Sequence, residues 1–318
     1  MKKLFRAAGL VLSVALLGAT GAASAQHYPS KPIKLIIPFP PAGATDVLGR
    51  TLGQKLSEAT GQPVVIENRP GAGGTIGTDI AAKSAPDGYT LMLASGSICI
   101  AANVYGKLGF DIEKSFAPIS IAGQVPHILV VHPSVKANSV RELIALARAH
   151  PGKLNAASQG NGTLSHMELE MLKSQSGGLD IVHVPYKGSS TVMSDLIAGN
   201  VHMFFDSVTS SMPMVKKGSL KVLAVASSKR LPFSPDIPTM AESGLPGFDA
   251  TNWFALMAPA GTPKEIVQLL NAHMVKIAAM PEIRDKLASQ GIIAEASTPE
   301  QLATIIRDDL ARWGQVAK

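Results

Sequence analysis

Short apolar runs of strand length alternate with amphipathic stretches of helical period through most of the chain. Ile33 to Pro38 has the β-rich character of a buried strand and is followed by the uncharged loop 39–45. Val47, Leu48, Leu52 and Leu56 then recur at three- and four-residue spacing, which predicts a helix with one buried face, ended by Gly61. A second strand, Val64 to Glu67, leads through Pro70-Gly71-Ala72-Gly73-Gly74 into a helix over 75–84, and Pro86-Asp87-Gly88 turns the chain into a third strand, Tyr89 to Ala94. The pattern resumes at the β-type run Val125 to Val131, closed by His132-Pro133. Ser139 and Glu142 form a capping-box pair that opens a helix over 140–149. After it come a strand at 153–157, a polar loop at 158–163, a helix at 164–174, a strand at 181–184, a loop at 185–190, a helix at 191–198, and strands at 201–205 and 220–226. Beyond Pro238 the chain reads as mainly helical, with capping signatures at Thr262 to Glu265 and Thr298 to Gln301. This order predicts α/β architecture with mostly parallel strands: two α/β units and a helical tail. Whether the units are sequential domains or one interrupts the other stays open at this level.

The first 25 residues have a different character. Lys2, Lys3 and Arg6 precede an apolar run from Ala7 to Leu17, and small residues end at Ala23-Ser24-Ala25, the order of a cleavable secretory signal peptide. The run is shorter than the ~20 residues that span a bilayer, so cleavage after Ala25 and an exported chain are expected rather than a retained anchor. No cysteine follows the run to carry a lipid. The composition, 46% apolar and 16% charged over 318 residues, excludes a disordered polymer. The net charge of +6 falls to +3 once the three leader cations are removed, too weak a field to imply nucleic acid. A single cysteine, Cys99, excludes an internal disulfide and a multi-cysteine metal site, and buried packing is its expected role.

In open α/β sheets ligands bind beyond the carboxyl ends of strands, where helices begin. The loop Ala42-Gly43-Ala44-Thr45 carries no charge until Asp46, and Ser158-Gln159-Gly160-Asn161-Gly162-Thr163 carries none. Both offer main-chain, hydroxyl and amide donors at a helix start, where an anion is favoured. Gly160-Asn161-Gly162 reads equally as a plain strand-to-helix turn, and Asp46 either offsets the helix dipole or takes a ligand amine or hydroxyl. His166 is placed to donate over the same helix terminus or to sit on the helix surface. Tyr186, Lys187, Ser189 and Ser190 bring a ring, a cation and two hydroxyls to a third helix start, and Asp206 ends an apolar strand. Serine-hydrolase, P-loop and zinc-hydrolase motifs are missing, and Gly71-x-Gly73-x-x-x-Gly77 displaces the third glycine of a dinucleotide loop. His127 and His132, five apart in an extended run, point to opposite faces, which argues against a shared metal.

Pro38-Phe39-Pro40-Pro41-Ala42-Gly43-Ala44-Thr45-Asp46, Gly61 to Gly74 and Pro86-Asp87-Gly88-Tyr89-Thr90-Leu91 together resemble the Bug proteins, the TctC family of periplasmic solute receptors of tripartite tricarboxylate transporters. The likeness continues through Phe116-Ala117-Pro118-Ile119, Gly160 to Thr163, His166, Val184 to Gly188 and Pro235 to Thr239, over essentially the whole mature chain. It implies a type II periplasmic-binding-protein fold: two α/β lobes joined by a two-stranded hinge around a ligand cleft. One lobe would comprise 26–125 plus 229–318 and the other 126–228. It also implies that a small carboxylate is held by Ala42, Gly43, Ala44, Thr45 and Asp46 on one lobe and by Ser158, Gly160, Asn161, Gly162, Thr163 and His166 on the other, with Tyr186, Lys187 and Asp206 as weaker assignments. The family commonly has Gly-Gly where this chain has Ala42-Gly43, which places the loop's backbone geometry in question.

The function implied is a monomeric receptor, without cofactor or catalysis, that captures an organic acid, acidic amino acid or aromatic acid and delivers it to a two-component membrane permease. A ligand sensor acting through a membrane partner would share the same cleft. An exported enzyme with His166 or Asp46 as acid or base lacks a nucleophile or metal at convincing spacing.

Overall fold

The structure is a computed structural model that describes residues 28–316. The expected signal peptide lies outside the described residues. Residues 31–316 belong to one compact unit.

Strands β1 (Ile33–Ile37), β2 (Val64–Asn68) and β3 (Thr90–Ser95) pair in parallel with β1 central. The helix after β1, α1 (Ala44–Thr60), buries Leu48, Leu52 and Leu56 as the periodicity requires, and Gly61 closes it in the left-handed conformation. The helix after β2, α2 (Thr75–Ala82), returns the chain to β3, and α3 (Ser97–Val104) follows. Next comes β4, a sixteen-residue strand from Phe116 to Val131. Its residues 116–126 pair antiparallel with β9 (Thr251–Pro259), whereas 127–131 pair antiparallel with β7 (Met203–Ser207) and 128–131 with β8 (Lys221–Val225). One strand thus belongs to both halves of the sheet, in the order β2-β1-β3-β9-β4-β7 and then the strands Asn155–Ser158 and Val182–Pro185. The second half is completed by β5 (Asn155–Ser158) and β6 (Val182–Pro185), parallel to each other and, through β5, to β7. The sheet is therefore mixed rather than mostly parallel: βαβ crossovers give the parallel pairs, and β4 and β9 run against their neighbours.

Helices α4 (Val140–Ala149), α5 (Leu164–Gln175), α6 (Ser189–Ala198) and α7 (Val208–Lys216) cover the second half. The capping pair is formed: Ser139 Oγ accepts from Glu142 N at 3.2 Å. The tail comprises α8 (Lys264–Ala279), α9 (Pro281–Ser289), the short β10 (Ile293–Ala294) and α10 (Pro299–Val316). Thr298 and Gln301 make a reciprocal capping box, with Gln301 N to Thr298 Oγ1 at 3.2 Å and Thr298 N to Gln301 Oε1 at 2.9 Å. Asn271 sews this tail to the sheet by donating to the carbonyls of Ile119 and Ser297, each at 2.7 Å. Cys99 is fully buried under α10, its Sγ 3.8 Å from the Ile306 carbonyl, and burial pushes its thiol pKa well up.

Several elements were not anticipated from the sequence, α3 and β10 among them. The first part of β4 alternates poorly because both faces are covered. β9 lies in a stretch read as helical, although Trp253 to Ala258 is an unbroken buried apolar run of the kind that fits a central strand. Helix α7 has a proline inside it, Pro213, which hides its period.

Candidate functional site

The register of the strands assembles a cleft where β4 passes between the two halves. Ser95 lies opposite Phe254, Val125 opposite Asn252, and His127 opposite Ser207. Around this seam is a narrow cavity of about 20 Å³. One wall is Phe39, Pro40, the start of α1 at Gly43, Ala44 and Thr45, and Ser95, Asn252 and Phe254. The other is His127, Gln159, the start of α6 at Ser189 and Ser190, and Ser207 at the start of α7. No carboxylate, lysine or arginine lines it.

The polar groups along both walls are mainly hydrogen-bond donors. The first-turn N–H groups of α1 and α6 have no carbonyl within their own helices, and the positive ends of both helices reach the cleft. The Thr45 hydroxyl makes no bond within the protein, although the residue is only 6% exposed. Asn252 Oδ1 accepts from Ser95 Oγ at 3.0 Å, which leaves its Nδ2 to donate. On the other wall Gln159 Nε2 donates to Ser189 Oγ at 2.9 Å and to Asp206 Oδ1 at 3.1 Å, so its Oε1 is the cleft's acceptor. Ser189 Oγ in turn donates to Asp206 Oδ1 at 2.6 Å, and Ser211 Oγ to Asp206 Oδ2 at 2.7 Å. Asp206 is fully buried, and burial raises its pKa against the three donors that favour the carboxylate. It does not line the cleft; it clamps the side chains that do.

The other expected site residues are distributed unevenly. Gly43, Ala44 and Thr45 line the cleft, but Ala42 and Asp46 do not. Asp46 takes Ala42 N at 3.0 Å and Arg50 Nε at 2.9 Å on Oδ2, and Asn68 Nδ2 at 3.0 Å on Oδ1. Burial works against its charge, and these donors, Arg50 foremost, outweigh it and hold the carboxyl below its usual pKa. Its role in the structure is to pin the loop. Ala42, where the family pattern has glycine, keeps the left-handed conformation at φ 66°, with its N–H directed to Asp46.

Of the stretch 158–166, only Gln159 reaches the cleft. Three of its other donors are used internally: Gly160 N to Ser158 Oγ at 3.1 Å, Gly162 N to His166 Nδ1 at 3.3 Å, and Thr163 Oγ1 to the Gly160 carbonyl at 2.7 Å. Leu164 N, at the start of α5, is capped across the seam by Ser97 Oγ at 3.1 Å. Asn161 is exposed and its carbonyl accepts from Tyr105. His166 faces an outer groove with Val104, Met167 and Glu170, stacked at 4.2 Å on His183. Burial lowers the His166 pKa, and burial together with His166 brings His183 down to about 4, so the stacking disfavours charge on either ring. Tyr186 donates to Asp195 at 2.6 Å, its pKa pushed up to about 12 by burial and that carboxylate, and Lys187 is exposed. Neither lines the cleft. His127, Asn252 and Ser207 had no motif to mark them. Ser189 and Ser190 stood in the third loop beside the two residues singled out there.

A cleft lined by helix starts on an α/β scaffold is the architecture of solute-binding proteins, and the comparisons with known proteins agree. The family model of the tripartite tricarboxylate transporter family receptor, TctC, matches residues 48–318. BugT of Bordetella pertussis is 38% identical over an alignment covering all of this chain and 97% of that protein. An R. palustris protein solved with adipate is 35% identical, with a TM-score of 0.89 over 91% of this chain and 97% of its own. MatC from Rhodopseudomonas palustris, solved with bound malate, is 30% identical, with a TM-score of 0.87 over 92% of this chain and 100% of its own. The chain belongs to the TctC family of periplasmic receptors, which are binding proteins and not enzymes. Among the described residues no helix is long and apolar enough to cross a membrane.

Ala42 generates a prediction, because its Cβ at positive φ costs on the order of 1 kcal/mol that glycine avoids. Ala42→Gly is expected to raise unfolding stability by about 1 kcal/mol in urea denaturation. A loss of stability would show that the left-handed conformation is not what the residue experiences.

Proposed function

We propose that the mature chain, released by cleavage after Ala25, is a monomeric receptor that captures a small carboxylate in this cleft and delivers it to a two-component membrane permease. The observation that carries the reading is the meeting of the α1 and α6 starts on a cavity without side-chain charge. The relatives solved with adipate and malate support an organic acid as the cargo. Charge-assisted hydrogen bonds contribute roughly 1.5–3 kcal/mol each, so a few of them hold a carboxylate near micromolar affinity after the cost of association. Gln159 Oε1 supplies one acceptor for a hydroxyl or amine on the ligand.

The two lobes of the proposal are 26–125 with 229–318, and 126–228. They meet along β4 and the connection after β8. A ligand touching both walls favours the closed arrangement, because only differential affinity shifts such an equilibrium. In the structure the turn at Gly73 lies against the 160–163 loop: a Cβ on Gly73 would stand 2.4 Å from the Asn161 carbonyl oxygen. Gly73 also has φ 64°, so a side chain there is strained as well as obstructed.

Three outcomes follow. In a thermal-shift and calorimetric panel of acetate, succinate, adipate, malate, citrate, glutamate and benzoate, at least one acid raises the melting temperature and is recovered unchanged. Thr45→Val weakens that acid by about tenfold or more while the unliganded melting temperature holds; equal affinity in the variant would remove α1 from the site. Gly73→Ala, which touches no cleft group, weakens the same acid by more than about tenfold by obstructing closure. Unaltered affinity there would mean that binding needs no approach of the two loops.

A further inference from the structure

The cleft's one titratable side chain is a histidine tied to buried acids. His127 lines the cavity yet is only 1% exposed. Its Nδ1 is 2.8 Å from Oε2 of Glu168, which projects from the buried face of α5 and is itself 0% exposed. Nε2 of the ring makes no bond within the protein. Glu168 Oε1 is likewise buried without a partner, so this carboxylate has one hydrogen bond where it would take several. Asp206, on the neighbouring strand β7, adds a second buried carboxyl to the cluster.

The other elements packed around the ring contribute no charge. β9 presents Asn252 and Phe254, and the helix starts present Thr45, Ser189, Ser190 and Ser207. Asp46 is turned to Arg50 and Asn68. A ligand anion entering here would therefore approach two buried acids with a single base between. In a dry site that combination is unfavourable unless the base carries a proton.

We propose that His127 reads the ligand anion: its Nε2–H donates to a carboxylate oxygen while Glu168 holds Nδ1, and binding draws one proton from solvent onto the cluster. This deepens the carboxylate-receptor reading and rests on it. Burial alone disfavours the imidazolium, but the Glu168 carboxylate and then Asp206 outweigh it and raise the His127 pKa. Burial raises that of Glu168 too, so the two side chains compete for one proton, which at alkaline pH is supplied from solvent when the anion binds. A bound anion on the far side of the ring localises it on the imidazole. Affinity is then full below the raised His127 pKa and falls as pH rises through it, by about tenfold per pH unit beyond it. The same arrangement favours a carboxylate over an isosteric amide, which brings no charge for the imidazolium to meet.

The test is calorimetry with the panel acid that binds wild type best, between about pH 6 and about pH 9, in buffers of differing ionisation enthalpy. Wild type is expected to take up close to one proton per ligand on the alkaline side and to lose affinity there. His127→Gln keeps an amide donor but cannot be protonated, and is expected to bind about tenfold or more weakly near pH 6 with no dependence on pH. Glu168→Gln is expected to move the fall in affinity to lower pH, and Asp206→Asn to move it the same way by less. If His127→Gln lowers affinity by one factor at every pH, or wild type takes up no proton, the proposal is overturned while the carboxylate reading stands. If no panel acid binds at all, both fall.

Discussion

Strand β4 belongs to both halves of the sheet, and the site depends on that continuity. Because 116–126 are bonded to β9 and 127–131 to β7 and β8, the residues either side of the crossing, Val125 and His127, bring Asn252 and Ser207 to the same seam. The turns that open α1 and α6 then project into it from the carboxyl ends of β1 and β6, as the geometry of open α/β sheets requires. A strand register that slipped by one residue would turn His127 away from the cleft and Ile128 into it.

The cleft handles charge by keeping it behind the wall. Asp206 and Glu168 are both buried, one bonded to Ser189, Gln159 and Ser211, the other to His127. Their carboxyls order the polar side chains that face the ligand without presenting a negative oxygen to it. The facing groups are helix N–H, hydroxyl, amide and imidazole, which are set by the fold before a ligand arrives and need little reorganisation to meet an anion. Asp46 works in the same manner on the other wall, holding the 39–43 loop through Ala42 N and Asn68 while staying outside the cavity.

How much of this was legible in the sequence depended on how local each signal was. The βαβ units, the α1 stripe of Leu48, Leu52 and Leu56, and the caps at Ser139 and Thr298 are set by neighbours in the chain and could be read directly. β9 could not, since an apolar run in a central strand has no period to distinguish it from a buried helix. The start of α1 was visible as an uncharged turn before a helix. The glycine turn at 160–162 looked the same, but Ser158 and His166 take the N–H groups of Gly160 and Gly162, and Ser97, remote in sequence, caps Leu164 N at the helix start behind it. Asn252 and His127 reach the cleft only through strand register, more than a hundred residues apart in sequence. Ala42 illustrates the converse: the substitution was visible, and the backbone kept the left-handed turn because Asp46 fixes its N–H.

The most direct measurement of the central claim is a crystal structure of the mature protein grown with the panel acid of highest affinity. The account predicts a carboxylate at the seam, its oxygens about 3 Å from the Thr45 hydroxyl and from first-turn N–H groups of α1, with His127 on the opposite side. A carboxylate seated instead in the outer groove beside His166, or along the 160–163 loop with the seam filled by solvent, would contradict it.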